Sequence, residues 1–366
     1  MRIPVAIYPY CSELLPLVKY FEVFQEKYKI QQLISPPGLG LNGKDAAYVR
    51  NHPPINQIVT DVFNADDPLW DVLILTQVLQ PGVIHDEQLS SIAEETLSTG
   101  KNVIYYINCE DDIPQHLISL KNKHNTKLTF ITEELKESLY ARRDSNYAPT
   151  DTPVILVAGL TSHEETLDVL ISLASAFKMN GFKPTVITKC CASIMLGNNF
   201  HNLSYIINDK SKTESDKIVS LNLFIRDLEH VEIPEVILIE APDSIIRYNN
   251  IAPNGFGIHT YMLCQAVTPD YFICCVPCDL LHDKLISDIS NDMSIRFGSA
   301  IDAVHISNIL VDSANVLQTR EVTIAHTDLS VVQKYMDNYN SNANIPVFNC
   351  ITEGADRLVT HLTGEE

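Results

Sequence analysis

An apolar run that stops at a glycine and then feeds a long amphipathic helix constrains this chain more than any other feature. The run is Val154–Ala158, the glycine is Gly159, and the helix expected after it covers Glu164–Met179. A strand with no polar face is buried on both sides, as happens in parallel sheets flanked by helices. Asp71–Thr76 (DVLILT) and Glu235–Glu240 (EVILIE) repeat the pattern.

The rest of the chain alternates in the same way. Arg2–Tyr8, Lys29–Ser35, Asp71–Thr76 and Asn102–Ile107 read as strands, with helices expected over Ser12–Tyr28 and Glu87–Ser98. The first helix carries Leu14, Leu17, Val18, Phe21 and Phe24 at helical spacing. A polar segment, Arg142–Thr152 (RRDSNYAPTDT), reads as a linker. Beyond it, strands are expected at Pro153–Ala158, Pro184–Thr188, Glu235–Glu240, Tyr271–Val276, Ala303–Ser307 and Val322–His326. Helices are expected over Glu164–Met179, Glu214–Leu228, Gly257–Val267, Cys278–Asn291 and Ser330–Tyr339. At 366 residues the chain is longer than one core usually supports. The expected fold is α/β, with two doubly wound, mainly parallel-sheet domains: a Rossmann-like domain over 1–148 and a degenerate P-loop NTPase-like domain over 149–366.

Charge limits the partners. Lys and Arg total 26 against 46 Asp and Glu, a formal net charge of -20. Nucleic-acid affinity comes largely from basic residues displacing counterions, so neither nucleic acid nor an acidic membrane surface is expected to bind. No apolar run reaches the ~18 residues that a membrane helix needs. The opening MRIPVAIYPY reads as a strand rather than an export signal, and the 9 cysteines follow no disulfide spacing. A cytoplasmic location with reduced thiols is expected.

A working P-loop reads G-x-x-x-x-G-K-[ST] between a strand and a helix. Here the register runs from Gly159 through Glu164 and Glu165 to Thr166. The first glycine and the final threonine are kept, while carboxylates replace the second glycine and the lysine. Ser162 and Glu165 have the S-x-x-E spacing of a capping box, which would occupy the amides that a phosphate needs. A carboxylate about 4 Å from a phosphate costs about 1 kcal/mol in water and about 4 at an effective dielectric of about 20. Hydrolysis of ATP or GTP is therefore not expected. The alternative is a well-capped βα unit with no ligand. The strand EVILIEAPDS ends in acids, as a strand that holds Mg²⁺ beside a nucleotide does, so Glu240 and Asp243 are the candidate metal ligands. Lys189, in the loop after the neighbouring strand, is placed to return the missing positive charge.

Other motifs are weaker. Gly38-Leu39-Gly40-Leu41-Asn42-Gly43 matches G-x-G-x-x-G by letters but follows the second strand, so it reads as a loop. With Lys44 and Asp45 it is a candidate ligand-contact loop. Cys275 and Cys278 form a C-x-x-C without a second pair, so buried cysteines fit better than a zinc or redox site. Asn254–Gly257 reads as a packing turn. The 12 histidines form no metal-binding spacing.

Four segments together resemble the "peptide maturation system protein" family of clostridial-type natural-product gene clusters. They are RIPVAIYPYCSELLPLVKY, PPGLGLNGKDAAYV, VAGLTSHEETLDVLISLASAFKMNGF and NGFGIHTYMLCQAVTPDYFI. The resemblance implies a cytosolic accessory protein encoded beside a radical-SAM maturation enzyme and a short ribosomal precursor peptide. It carries over no catalytic residue. More distantly, the layout is similar to P-loop NTPases of the signal-recognition and MinD type.

The expectation is a non-hydrolysing accessory or binding protein for peptide maturation. Its ligand would lie in a crevice between the domains, lined by Gly159–Thr166, Glu240, Asp243 and the Gly38–Asp45 loop. The alternatives are an enzyme that uses a nucleotide or metal through Glu164, Glu165, Glu240 and Asp243, and a homodimeric scaffold. The ligand or cofactor itself stays open.

Overall fold

The computed structural model describes residues 2–77, 86–124, 127–133, 146–161, 165–339 and 345–364. The chain divides into two compact units, one of Met1–Ala141 with Cys190–Tyr205, the other of Arg142–Lys189 with Ile206–Glu366. The linear boundary at 148/149 does not anticipate the excursion of 190–205 into the first unit.

The first unit holds six strands: β1 (Ile3–Tyr8), β2 (Tyr28–Ile34), β3 (Val59–Thr60), β4 (Val72–Thr76), β5 (Asn102–Tyr106) and β6 (Leu128–Ile131). Their order is β3-β2-β1-β4-β5-β6 and every pairing is parallel. That is the strand order of dinucleotide-binding Rossmann sheets. The apolar run DVLILT supplies β4, central and fully buried. Helix α3 (Asp86–Ser98) packs Leu89, Ile92, Ala93 and Leu97 into a core with Trp70, Leu73, Leu75 and Val103. Helix α4 is Gln115–Lys123.

The expected helix over Ser12–Tyr28 is not continuous. A 3₁₀ turn (Ser12–Leu14) leads into α1 (Leu15–Lys19), Tyr20 breaks the run, and a short α2 (Phe21–Phe24) follows. Tyr28 belongs instead to β2, where it pairs with Ile3. Sheet pairing outweighs the helical spacing.

Buried polar contacts hold 190–205 in the first unit. The Glu133 carboxylate lies 2.8 Å from Nδ1 of His201 and accepts the Asn202 amide at 2.9 Å. Asn202 donates to Asn108, Gln25 donates to the Met195 carbonyl, and Phe24 meets Phe200 edge-on at 4.8 Å.

The second unit contains β7 (Val154–Gly159), β8 (Pro184–Thr188), β10 (Val236–Glu240), β11 (Tyr271–Pro277), β12 (Ala303–Ser307) and β15 (Val347–Phe348). With β9 (Phe200–Asn202) the sheet order is β15-β12-β11-β7-β10-β8-β9. Strands β7, β10, β8, β11, β12 and β15 pair in parallel. The strand expected at Val322–His326 is not in this sheet. It forms a separate antiparallel hairpin of β13 (Ile309–Val311) and β14 (Ile324–His326). The second unit also carries helices α5 (Thr166–Met179), α6 (Glu214–Glu232), α7 (Ile258–Ala266) and α8 (Asp283–Phe297).

The described part of the expected linker is tied down. The Asp151 and Thr152 amides donate to Glu229 on α6, and Ala148 exchanges bonds with Asn222. No helix among the described residues is long and apolar enough to cross a membrane.

Gly257, just before α7, has φ of 72°. A Cβ there would lie 2.5 Å from the Ile245 carbonyl oxygen, and the Ile245 amide is itself anchored to Gly159. Gly257→Ala is expected to destabilise the protein by roughly 2–4 kcal/mol, read as a lower urea midpoint at unchanged slope.

Candidate functional site

The second sheet has a topological switch point. The chain leaves β7 toward β8 on one side and leaves β11 toward β12 on the other. Open α/β sheets bind ligands outside the carboxyl ends of strands at such a point. Gly159 ends β7, and its carbonyl accepts from Ile245 at 3.1 Å. Leu160 continues the pairing by donating to Cys275 at 2.9 Å.

Beside this point, Glu240 ends β10 with 1% exposure. Its Oε1 accepts the Thr166 hydroxyl at 2.8 Å and lies 3.5 Å from the Lys189 ammonium. Its Oε2 accepts the Thr188 hydroxyl, and the Lys189 amide at 3.3 Å. Thr166 opens α5, while Thr188 and Lys189 follow from β8. The parallel register of β8, β10 and β7 aligns these three strand ends. A carboxylate offers about four lone-pair sites, and four protein donors approach them here. Lys189 does bring a positive charge to the site, but it is paired with Glu240.

Asp243 does not join Glu240 in a shared centre. Its Oδ1 accepts the Thr260 amide at 2.9 Å and the Thr260 hydroxyl at 2.6 Å, and its Oδ2 accepts the His259 amide at 3.2 Å. These bonds satisfy free amides of the first turn of α7. Among the described residues no three His, Cys, Asp or Glu side chains converge on a metal position.

Glu165 corrects the electrostatic argument drawn from the P-loop register. Helix α5 begins at Thr166, so Glu165 precedes the helix instead of occupying its third position as the capping box requires. Its carboxylate turns into the core and meets Nε2 of His305, on β12, at 3.0 Å; both side chains have 0% exposure. Nδ1 of His305 accepts the Cys350 amide at 3.2 Å. With Nδ1 used as an acceptor, the ring proton sits on Nε2 and is donated to Glu165. This carboxylate therefore does not face a phosphate position. The missing lysine still removes attraction for phosphate. Ser162 and Glu164 lie outside the described residues.

The Gly38–Gly43 loop follows β2 and opens no long helix. Gly38, Gly40 and Gly43 all have positive φ, at 97°, 69° and 73°. The Gly43 amide donates to Val59, and Lys44 lies 4.6 Å from the centre of the Tyr48 ring. Asp45 accepts the amides of Ala47 and Ile55, which shapes the loop. The dinucleotide position after β1 is taken instead by Pro9–Cys11 and the 3₁₀ turn, with Thr76 donating to the Pro9 carbonyl at 3.2 Å.

Reading the sequence did not single out Thr188, His305 or Asp279. Thr188 and His305 sit on apolar strands, and the carboxylates they meet, Glu240 and Glu165, are distant in sequence. Asp279, after β11, has its carboxyl pushed up, chiefly by burial. Cys278 donates to the Ile309 carbonyl, and burial with Asp279 nearby pushes its thiol up to about 12.

Neither the protein-family models nor the curated proteins provide a match. Among solved structures, the chain is similar to a DUF1611 family protein from Anabaena variabilis ATCC 29413. The TM-score is 0.61, the identity 12%, and the match covers 100% of both chains. This likeness establishes the fold, an α/β architecture of two mainly parallel sheets.

Two outcomes follow. His305→Leu removes the Nε2 donor from the buried Glu165 carboxylate and is expected to cost about 3 kcal/mol, with a double-mutant cycle against Glu165→Gln returning a coupling above about 1 kcal/mol. Cys109 is half-buried and the other eight cysteines are buried. Burial pushes Cys264 and Cys278 up to about 12. A raised thiol stays protonated and unreactive at pH 8. Iodoacetamide at that pH is expected to label Cys109 first, as read by peptide mass spectrometry.

Proposed function

We propose that the protein is a cytosolic accessory protein that binds a ribosomally made precursor peptide during its maturation and does not hydrolyse nucleotide. One observation supports the second half most directly. Four protein donors surround the Glu240 carboxylate, at the place where a working site would use a carboxylate to hold Mg²⁺. The residue in the register of the phosphate-binding lysine is Glu165, buried against His305. The four segments that resemble the peptide maturation family support the first half. The partners on this reading are the precursor peptide and a radical-SAM enzyme encoded beside it.

A second reading is a nucleotide- or metal-dependent enzyme. The Thr166–Glu240 pair favours it, because a hydroxyl and a carboxylate in this arrangement are what such enzymes place around Mg²⁺.

Isothermal titration with ATP and GTP, with and without Mg²⁺, separates the two. The accessory reading expects no saturable heat, and co-elution with the neighbouring precursor peptide on gel filtration. Micromolar nucleotide binding that Thr166→Ala abolishes would establish the enzyme reading instead. A neighbourhood without any precursor-peptide gene would remove the peptide assignment.

A further inference from the structure

In nucleotide-binding proteins of this layout, a hydroxyl at a helix start and a carboxylate at a strand end stand beside Mg²⁺. Thr166 and Glu240 hold those places here, with the Thr166 hydroxyl 2.8 Å from Oε1 of Glu240. The ion asks for more than this pair. Mg²⁺ takes octahedral oxygens at about 2.1 Å and usually keeps several waters. Asp243, the next acid in the chain, uses both of its oxygens on the first-turn amides of α7. Glu240 is 1% exposed, so water has little access to its carboxylate. With Lys189 in place, the donor set does not fit the ion.

Lys189 takes the ion's electrostatic role. The register of β8 against β10 pairs Ile187 with Ile239, which brings Lys189 just past the strand ends beside Glu240. The Lys189 amide donates to Oε2 at 3.3 Å, and its ammonium lies 3.5 Å from Oε1. The two ends of one residue therefore hold the two oxygens of one carboxylate. The amide contact fixes where the side chain starts, so the charge is tethered to the site. A lysine ammonium is a compact point charge that only donates. It shares Oε1 with the Thr166 hydroxyl, and this is the oxygen a metal would need. The Lys189 side chain is 27% exposed, so its charge is balanced from one side by Glu240 and hydrated from the other.

We propose that Lys189 is a built-in replacement for the divalent cation: its ammonium balances Glu240 and keeps metal out of the site. This deepens, and rests on, the reading of the second unit as non-hydrolysing. A dication on Oε1 would meet a second positive charge at the same oxygen, and like charges repel. Shortening the lysine removes that charge and opens its space to water. Thr166 and Glu240 then become a divalent-cation site.

The test uses Mn²⁺ as the probe and the full chain, with neither nucleotide nor peptide present. Binding is read from the electron paramagnetic resonance signal of the free ion. The readout is the component lost on Glu240→Gln, which sets aside weak binding by surface acids. The wild-type chain and Lys189→Arg, which keeps the charge, are expected to show no such component. Lys189→Ala is expected to gain one, with Mn²⁺ held about tenfold or more tighter than by the wild type. Lys189→Ser is the second variant, and thermal melts confirm that each is folded. Folded Lys189→Ala and Lys189→Ser chains that gain no Glu240-dependent site overturn the proposal. So does a wild-type chain that binds Mn²⁺ through Glu240, a result that needs no lysine variant. That result would leave the peptide assignment standing, and a missing precursor peptide would leave the Mn²⁺ result standing.

Discussion

The Glu240 carboxylate is the constraint on which the second unit turns. It is buried where the end of β8, the end of β10 and the start of α5 meet. Burying an ionised carboxylate without partners costs many kcal/mol. The cost is met because Thr166, Thr188 and Lys189 all aim donors at it. The same bonds fix the start of α5 against two strand ends. At the strand end where nucleotide-binding proteins place a carboxylate for Mg²⁺, Glu240 meets protein donors and pairs with Lys189. Removing Glu240 would take away the acceptor that Thr166, Thr188 and Lys189 share here.

A second buried carboxylate repeats the theme from the other side of β7. Glu165, just before α5, crosses to His305 on β12, and His305 is oriented in turn by the Cys350 amide. The two ends of this relay are 185 residues apart in the chain. The phosphate-binding lysine is thus not merely absent. Its place in the register holds a residue that ties the helix start into the core. On the proposed reading, weak phosphate binding would follow from the missing positive charge and not from repulsion by Glu165.

The Asp243 and Gly257 pair completes the surroundings. Asp243 supplies the acceptors that the α7 amides require, and Gly257 lets the backbone pass within contact of Ile245. Both positions answer to the geometry of the turn after β10. A carboxylate just beyond a strand end reads as a metal ligand in one dimension and works as a helix cap in three.

Much of the architecture was legible in the residues. Apolar runs such as DVLILT and EVILIE can only be central strands, and the helix over Glu214–Leu228 is found, extended to Glu232. That Glu165 stands in the register of a P-loop lysine was plain from the letters, as was the position of the Gly38–Gly43 letters after the second strand and not the first. What stayed hidden depends on contacts between distant residues. That Tyr28 leaves the expected helix is set by its pairing with Ile3, and the return of 190–205 to the first unit by Glu133 meeting His201. His305 lies inside an apolar strand with no local sign of a partner. Hydrophobic period and glycine placement act over a few residues, so the chain alone determines which segments are strands and which are helices. Only the folded structure decides which carboxylate meets which donor, because a buried charge is satisfied by whatever the packing brings near and not by its neighbours in sequence.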